Sequence, residues 1–159
     1  MKHLLIFALS LVTLTSQANQ PGDSITVIPF HLRGTCSLVT VPVILNGIEC
    51  SFLIDSGSEL SILDESQASV FNFNIVPGDE DKSTNTDWSG RPVNLSYASG
   101  ATAKLGNINL KNCFRAADLD NLLATVSRRT GKNVVGIIGA DVLSRYGLVI
   151  DYKNSSIHQ

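Results

Sequence analysis

The feature that most constrains the fold of this chain is an acidic turn between two short apolar runs. Residues 52–54 read Phe-Leu-Ile, residues 55–57 read Asp-Ser-Gly, and residues 60–63 are again mostly apolar. A short apolar run bounded by turn residues is typical of a buried strand, so Asp55 is predicted to lie where a core strand ends. Gly57 permits a sharp turn, and Ser56 and Ser58 carry hydroxyl donors. Taken alone, the tripeptide fits an ordinary Asx or Ser turn better than a chemical site.

Two further segments change that interpretation. Asn46-Gly47 between apolar runs predicts a tight hairpin that leads into the Asp55 strand. Residues 134–152 predict a buried strand ending in Ile-Ile-Gly, a short helix stopped by Gly147, and a last strand. In this order and spacing, the segments resemble the retropepsin-like aspartic proteases, which comprise the retroviral proteases and their bacterial relatives. The resemblance covers roughly residues 38–154.

The resemblance implies a fold and a set of site residues. The implied fold is the mostly β, retropepsin-like acid-protease fold, with a closed, β-barrel-like half and one short C-terminal helix. Asp55 corresponds to the catalytic carboxylate, and Ser56, Gly57 and Ser58 to its support, with Ser56 in place of the commoner Thr. A hydroxyl at Ser58 would stabilise the ionised carboxylates. The candidates for the substrate cleft and its flap are Glu59, Trp88, Ser89 and Gly90, and those for the structural motif are Ile137, Ile138 and Gly139.

Strand patterns dominate the chain between these motifs. The predicted strands cover residues 24–29, 38–45, 48–54, 93–97, 101–105, 108–110, 134–138 and 148–152. Residues 140–145 give the clearest helix, and a second short helix is predicted within residues 119–129, between Asp118 and a basic pair suited to its C-terminal end. Residues 84–95 are the predicted flap.

The chemistry of peptide-bond hydrolysis predicts a second copy of this chain. An acid protease needs two facing carboxylates that share one proton. Asp-Ser-Gly occurs once, and neither Asp141 nor Asp151 is followed by such a turn, so both are interpreted as structural. The second Asp55 is therefore expected from the partner in a two-fold homodimer. The alternative is a secreted, non-catalytic module with the same fold that binds peptides or proteins.

The N-terminus predicts export. Residues 1–18 have a basic start, an apolar stretch too short to span a bilayer, and small residues before position 19, which is typical of a signal peptide. We expect an extension with the first strand over residues 19–37, the protease domain over 38–154 and a tail over 155–159. The mature protein is then periplasmic or secreted, without a stable membrane span.

Composition excludes several other classes of function. The net charge of −2 gives no basic footprint for nucleic acid. The three cysteines lack metal-ligand spacing and the histidines are scattered, so neither a metal nor another cofactor is expected. Two states of the cysteines are compatible with the sequence: a Cys36–Cys113 disulfide with Cys50 buried, or three buried thiols.

Overall fold

The computed structural model describes residues 26–78 and 94–159. Twelve strands lie in these ranges: β1 Val27–Pro29, β2 Thr40–Leu45, β3 Ile48–Ile54, β4 Ser61–Asp64, β5 Asn74–Val76, β6 Ser96–Ser99, β7 Thr102–Leu105, β8 Ile108–Lys111, β9 Phe114–Ala117, β10 Val134–Ile138, β11 Val149–Asp151 and β12 Ser156–His158. The helices are α1 Ala68–Phe71, α2 Asp120–Thr130 and α3 Ala140–Arg145, with a 3₁₀ turn at Glu65–Gln67. The mostly β prediction is confirmed.

The strands form two sheets. The larger has nine strands in the order β5-β6-β9-β4-β10-β3-β2-β7-β8, and the smaller has the order β1-β12-β11. Within the described residues the larger sheet ends at β5 and β8, so it is not closed into a barrel. Most neighbours are antiparallel, but β10 is parallel to β3 and β9 is parallel to β4. In the strand order of the larger sheet, β10 lies between β3 and β4, the two strands that flank Asp55 in the sequence.

The hairpin β2–β3 forms where Asn-Gly predicts it. Asn46 and Gly47 have φ values of 47° and 86°, and their positive sign is what a tight type I′ connection requires. The Asn46 side chain also ties this turn to distant backbone. Its amide nitrogen donates to the carbonyl oxygens of Phe71, Asn72 and Gly100, and its oxygen accepts from the Thr102 N–H.

The nine-stranded sheet buries both of its faces around the Asp55 strand. On one face, Phe52 and Ile54 join the main core, together with Leu63 and Ile138. On the other face, α2 covers Leu53 with Leu123 and Val126. The sheet is therefore a middle layer, and Asp55 leaves it at the edge of a packed core.

Four of the observed strands were not predicted from the sequence: β4, β5, β9 and β12. Each has only three or four residues, and β5 and β12 contain polar residues, so their pairing partners rather than local pattern stabilise them. Residues 155–159, predicted to be a tail, contain β12, which lies between β1 and β11. Strand β6 begins at Ser96, later than predicted, and α2 runs one residue beyond the predicted 119–129.

All three cysteines are free and buried, so the alternative of a Cys36–Cys113 disulfide is wrong. Burial raises the pKa of the Cys50 thiol to about 12, which keeps it neutral. None of the helices within the described ranges is long and apolar enough to cross a membrane. The predicted signal peptide, residues 1–18, lies outside the described residues.

Candidate active site

Asp55 stands directly after β3 and is held by backbone on both sides. Its N–H donates to the carbonyl oxygen of Ile138 at 3.0 Å, which extends the β3–β10 pairing by one residue. The Gly57 N–H donates to the Asp55 carboxylate Oδ1 at 2.9 Å, and the Ser58 N–H donates to the Asp55 carbonyl oxygen at 3.1 Å. These bonds close a tight Asx turn. The carboxylate is half-buried, so it is positioned by the turn and still reaches solvent.

The Ile-Ile-Gly segment lies against the Asp55 turn. The Ala140 N–H donates to the Ser58 carbonyl oxygen at 2.8 Å, and the Asp141 N–H to that of Glu59 at 3.2 Å. A Cβ atom on Gly139 would lie 2.5 Å from the Leu60 carbonyl oxygen and 2.8 Å from that of Ser58. Only glycine permits this approach, which brings the first turn of α3 onto the loop that follows Asp55.

Ser61 of β4 also connects the strand after the Asp55 turn to Gly139 and to the start of α3. This side chain is fully buried; its hydroxyl accepts the Gly139 N–H at 2.9 Å and donates to the Asp141 carboxylate at 2.6 Å. Ser61 is not among the site residues predicted from the sequence. Its one signal is a hydroxyl residue inside the apolar run 60–63, which indicates that a buried polar partner is needed.

Some of the other predicted site residues lie beside the Asp55 turn, and others lie elsewhere in the sheet or outside the described residues. The Ser58 hydroxyl donates to the Leu60 carbonyl oxygen at 2.7 Å rather than to the Asp55 carboxylate. Ser56 and Glu59 are exposed beside the turn. Ile137 lies on the α2 side of the sheet, opposite to Ile138. The flap candidates Trp88, Ser89 and Gly90, and residues 84–93 in general, lie outside the described residues.

The two further aspartates near the C-terminus each accept hydrogen bonds from other residues. Asp141 Oδ1 accepts from Ser61 and from the Val142 N–H at 2.7 Å. Asp151 accepts from the backbone and side chain of Asn154 at 3.0 and 2.6 Å, and these hydrogen bonds lower the pKa of its carboxyl group. Among the described residues, neither carboxylate shares a hydrogen-bond donor with Asp55. Within the described ranges, no cluster of three or more His, Cys, Asp and Glu residues is arranged to hold a metal ion.

An apolar hollow of about 500 Å³ adjoins the Asp55 turn. Its lining includes Ser56, Leu143 of α3, Leu148 between α3 and β11, and Val149 and Ile150 of β11. Strand β11 is an edge of the small sheet, and Val149 is 53% exposed. An apolar hollow beside an unpaired strand edge is a surface suited to protein association.

Sequence comparison identifies the family to which this geometry belongs. Residues 41–142, more than half of the chain, match the profile of the family described as aspartyl protease. The chain belongs to the aspartyl protease family. The match begins in β2 and ends in α3, so it contains both the Asp55 turn and the glycine that packs on it. No curated protein matches the chain.

Solved structures show that this aspartyl protease family member has the retropepsin-like fold. One similar structure is a retropepsin-like aspartic protease from Rickettsia conorii, with 15% identity, a TM-score of 0.50, and coverage of 84% of this chain and 88% of that one. Another is the retroviral protease-like domain of Ddi1 from Leishmania major, with 16% identity, a TM-score of 0.50, and coverage of 76% and 86%.

A third similar structure is the EIAV protease in complex with the inhibitor HBY-793. It has 18% identity and a TM-score of 0.50, and the match covers 74% of this chain and 95% of that one. At these identities the likeness establishes the fold of this aspartyl protease family member, and the predicted resemblance is confirmed at that level.

Proposed function

We propose that this protein is an exported aspartic endopeptidase, which hydrolyses peptide bonds with a pair of Asp55 carboxylates contributed by the two subunits of a homodimer. The observation that carries the proposal is the Asp55 turn. The half-buried Asp55 carboxylate accepts from the Gly57 N–H, and the Asp55 N–H donates to the Ile138 carbonyl oxygen, in a chain of the aspartyl protease family. A carboxylate held in this way has the orientation that acid–base chemistry requires.

The chemistry requires two such carboxylates. Two carboxyl groups in close contact do not both ionise, so a facing pair retains one proton at mildly acidic pH. The ionised Asp55 removes a proton from water, while the protonated Asp55 donates its proton during cleavage of the amide. Because Asp141 is hydrogen-bonded to Ser61 and Asp151 to Asn154, the second carboxylate is assigned to the partner's Asp55.

The surface beside the turn supports this assembly. A two-fold axis places the same patch of each subunit face to face. The apolar hollow next to Ser56 and the exposed edge of β11 lie beside the Asp55 turn, where a second copy would bring its own Asp55 close. Association there buries Val149 and the hollow in the same step that completes the site.

Export is supported by the signal-peptide pattern of residues 1–18. N-terminal sequencing of the protein from expressing bacteria tests it, with a mature N-terminus at position 19 expected in the periplasm or medium. An intact Met1 on cytoplasmic protein would contradict export.

The catalytic proposal is tested with a mixture of peptides whose cleavage is followed by mass spectrometry at acidic pH. Asp55→Asn should abolish cleavage while circular dichroism shows an unchanged fold. Asp118→Asn, an exposed carboxylate with the same chemical change, should retain activity. A folded Asp55→Asn protein with wild-type turnover would overturn the proposal, and a folded wild type that binds peptides but cleaves none would favour the binding module.

Subunit mixing tests the shared site. With equal amounts of wild-type and Asp55→Asn chains, random exchange leaves about a quarter of the dimers with two intact aspartates. Activity per wild-type chain should then fall to about half, because mixed dimers are inactive. Unchanged activity per wild-type chain would show that each chain carries a complete site.

A further inference from the structure

The strand register places one row of side chains across six neighbouring strands. Leu53 of β3 pairs with Ile137 of β10, which pairs with Ile62 of β4. Ile62 pairs with Arg115 of β9, which pairs with Tyr97 of β6. Tyr97 in turn pairs with Val76 of β5. Paired residues project from the same side of a sheet, so these side chains share one face. We call the set the cleft row: Leu53, Ile137, Ile62, Arg115, Tyr97 and Val76.

The cleft row lies on the face that carries Asp55. Successive side chains of a strand alternate between faces, so Leu53 and Asp55, two positions apart, point the same way. The intervening Ile54 packs in the main core on the opposite face, as do Phe52 and Ile138. Asp55 and the cleft row therefore lie on the same face of the sheet.

Helix α2 covers only one end of the cleft row. Leu53 and Ile137 are buried beneath Leu123 and Val126. Beyond the helix the row becomes accessible: Ile62 and Arg115 are half-buried, and Tyr97 and Val76 are 43% and 45% exposed. The helix thus forms a wall, and the uncovered part of the row forms a floor beside it.

Arg115 is the one charged residue of this floor. Its guanidinium carbon lies 3.7 Å from the centroid of the Tyr97 ring, so the cation stacks on the aromatic face. The strand around it is anchored, because Phe114 and Ala116 on either side are buried in the opposite face. Stacking fixes the plane of the guanidinium and leaves its N–H edge for a planar, negatively charged partner.

We propose that Arg115 is a specificity-determining residue that binds an acidic side chain of the peptide substrate; this inference rests on the proposed function. Three strand spacings and two residues along a strand separate Arg115 from Asp55, about 16 Å between Cα atoms. The side chains of Asp55 and Arg115 each span part of this distance. In an extended peptide that contacts both, the acidic residue therefore lies about two to four positions from the scissile bond. The carboxylate accepts two parallel N–H bonds from the guanidinium. In a symmetric dimer each subunit supplies one such contact.

The experiment compares peptides that differ only in charge. Cleavage of a proteome-derived peptide library by the wild type should show enrichment of Asp and Glu near the cleaved bonds. In a peptide taken from that set, replacing the acidic residue by its amide should lower kcat/KM about tenfold. Arg115→Gln should reduce this ratio to near one, and Arg115→Glu should favour a Lys peptide. Arg115→Lys retains the positive charge but not the two parallel N–H donors of the guanidinium, so the ratio of kcat/KM between the acidic and the amide peptide should be intermediate.

Arg129 provides the matched control. It is exposed in the last turn of α2 and is not a member of the cleft row. Arg129→Gln should therefore preserve the acidic preference of the wild type. A wild type without acidic preference, or an Arg115→Gln variant that retains the preference, would overturn the inference. Thermal unfolding of each variant verifies that the fold is intact.

A binding measurement separates failure of this inference from failure of the proposed function. The Asp55→Asn protein is incubated with the same library, and the peptides that it retains are sequenced. Enrichment of acidic residues that disappears in Asp55→Asn/Arg115→Gln supports the role of Arg115, even if the wild type cleaves nothing. Retained peptides without that enrichment would overturn the inference, even if the wild type is an active protease.

Discussion

Ser61 is the residue through which the Asp55 turn, the end of β10 and α3 are joined. Its hydroxyl accepts a hydrogen bond from the Gly139 N–H and donates one to the Asp141 carboxylate. The side chain has no exposure to solvent, so water does not replace either partner if the hydroxyl is lost. The buried Gly139 N–H depends on this oxygen atom, and the half-buried Asp141 carboxylate accepts from it as well as from the Val142 N–H.

Removal of the Ser61 hydroxyl should destabilise the protein strongly. We expect Ser61→Ala to lower the free energy of unfolding by about 2–3 kcal/mol, because the Gly139 N–H loses its partner and Asp141 loses one donor. Urea denaturation gives the measurement. Ser99→Ala, at an exposed serine, is the control and should change stability by less than about 0.5 kcal/mol. Equal stability of the two variants would contradict this account of Ser61.

At the scale of elements, α2 has a structural role beside the site. The helix ends at Gly131, whose φ of 71° suits a left-handed helix cap. Leu123 and Val126 face β3 and β10, whereas Leu122 is 48% exposed. The buried carboxylate of Asp64 also accepts the Leu119 N–H at 3.4 Å, next to the first turn of the helix. The helix is thus fixed to the face that carries Asp55.

Adjacent leucines of α2 give a matched pair of variants. Leu123→Ala should lower the free energy of unfolding by about 3 kcal/mol, because a fully packed side chain leaves a cavity against Leu53. Leu122→Ala should cost under about 1 kcal/mol, since its side chain is half in solvent. Chemical denaturation of both proteins measures the difference. Similar losses for the two would show that α2 does not pack on β3 as described.

At the scale of the whole molecule, the open edge of β11 is the feature that links the fold to the proposed dimer. The strand pairs with β12 on one side, and its other side has no strand neighbour among the described residues. Val149 exposes 53% of its surface beside the apolar hollow. An exposed apolar edge of this kind is a liability in a monomer, and a two-fold partner removes it.

A charge at this edge should weaken the proposed dimer without unfolding the subunit. We expect Val149→Lys to raise the Kd of dimerisation by at least about tenfold, because two ammonium groups would meet near the two-fold axis. Sedimentation velocity over a range of concentrations measures the shift. Ile48→Lys, at an exposed position where β3 begins, far from Asp55, is the control and should leave the Kd unchanged. Identical sedimentation of Val149→Lys and wild type would place the subunit contact elsewhere.

The sequence alone determined the features that depend on neighbouring residues. The Asn46-Gly47 turn, the strand leading to Asp55 and the helix over residues 140–145 each follow from a local pattern: residues that accept positive φ, an apolar run, and a glycine stop. The same patterns, in their order along the chain, were sufficient for the family resemblance that the profile match and the solved structures confirm.

Only the tertiary structure decided which distant segments meet. Insertion of β10 between β3 and β4 brings residues about 80 positions apart into contact, and it gives Ser61 its two partners. The stacking of Arg115 on Tyr97 and the docking of α2 on Leu53 have the same origin. Short strands such as β4 and β9 carry little periodicity, and their register is fixed by backbone pairing and by the packing of the faces they share. That information is held in the assembled sheet, because no single segment contains it.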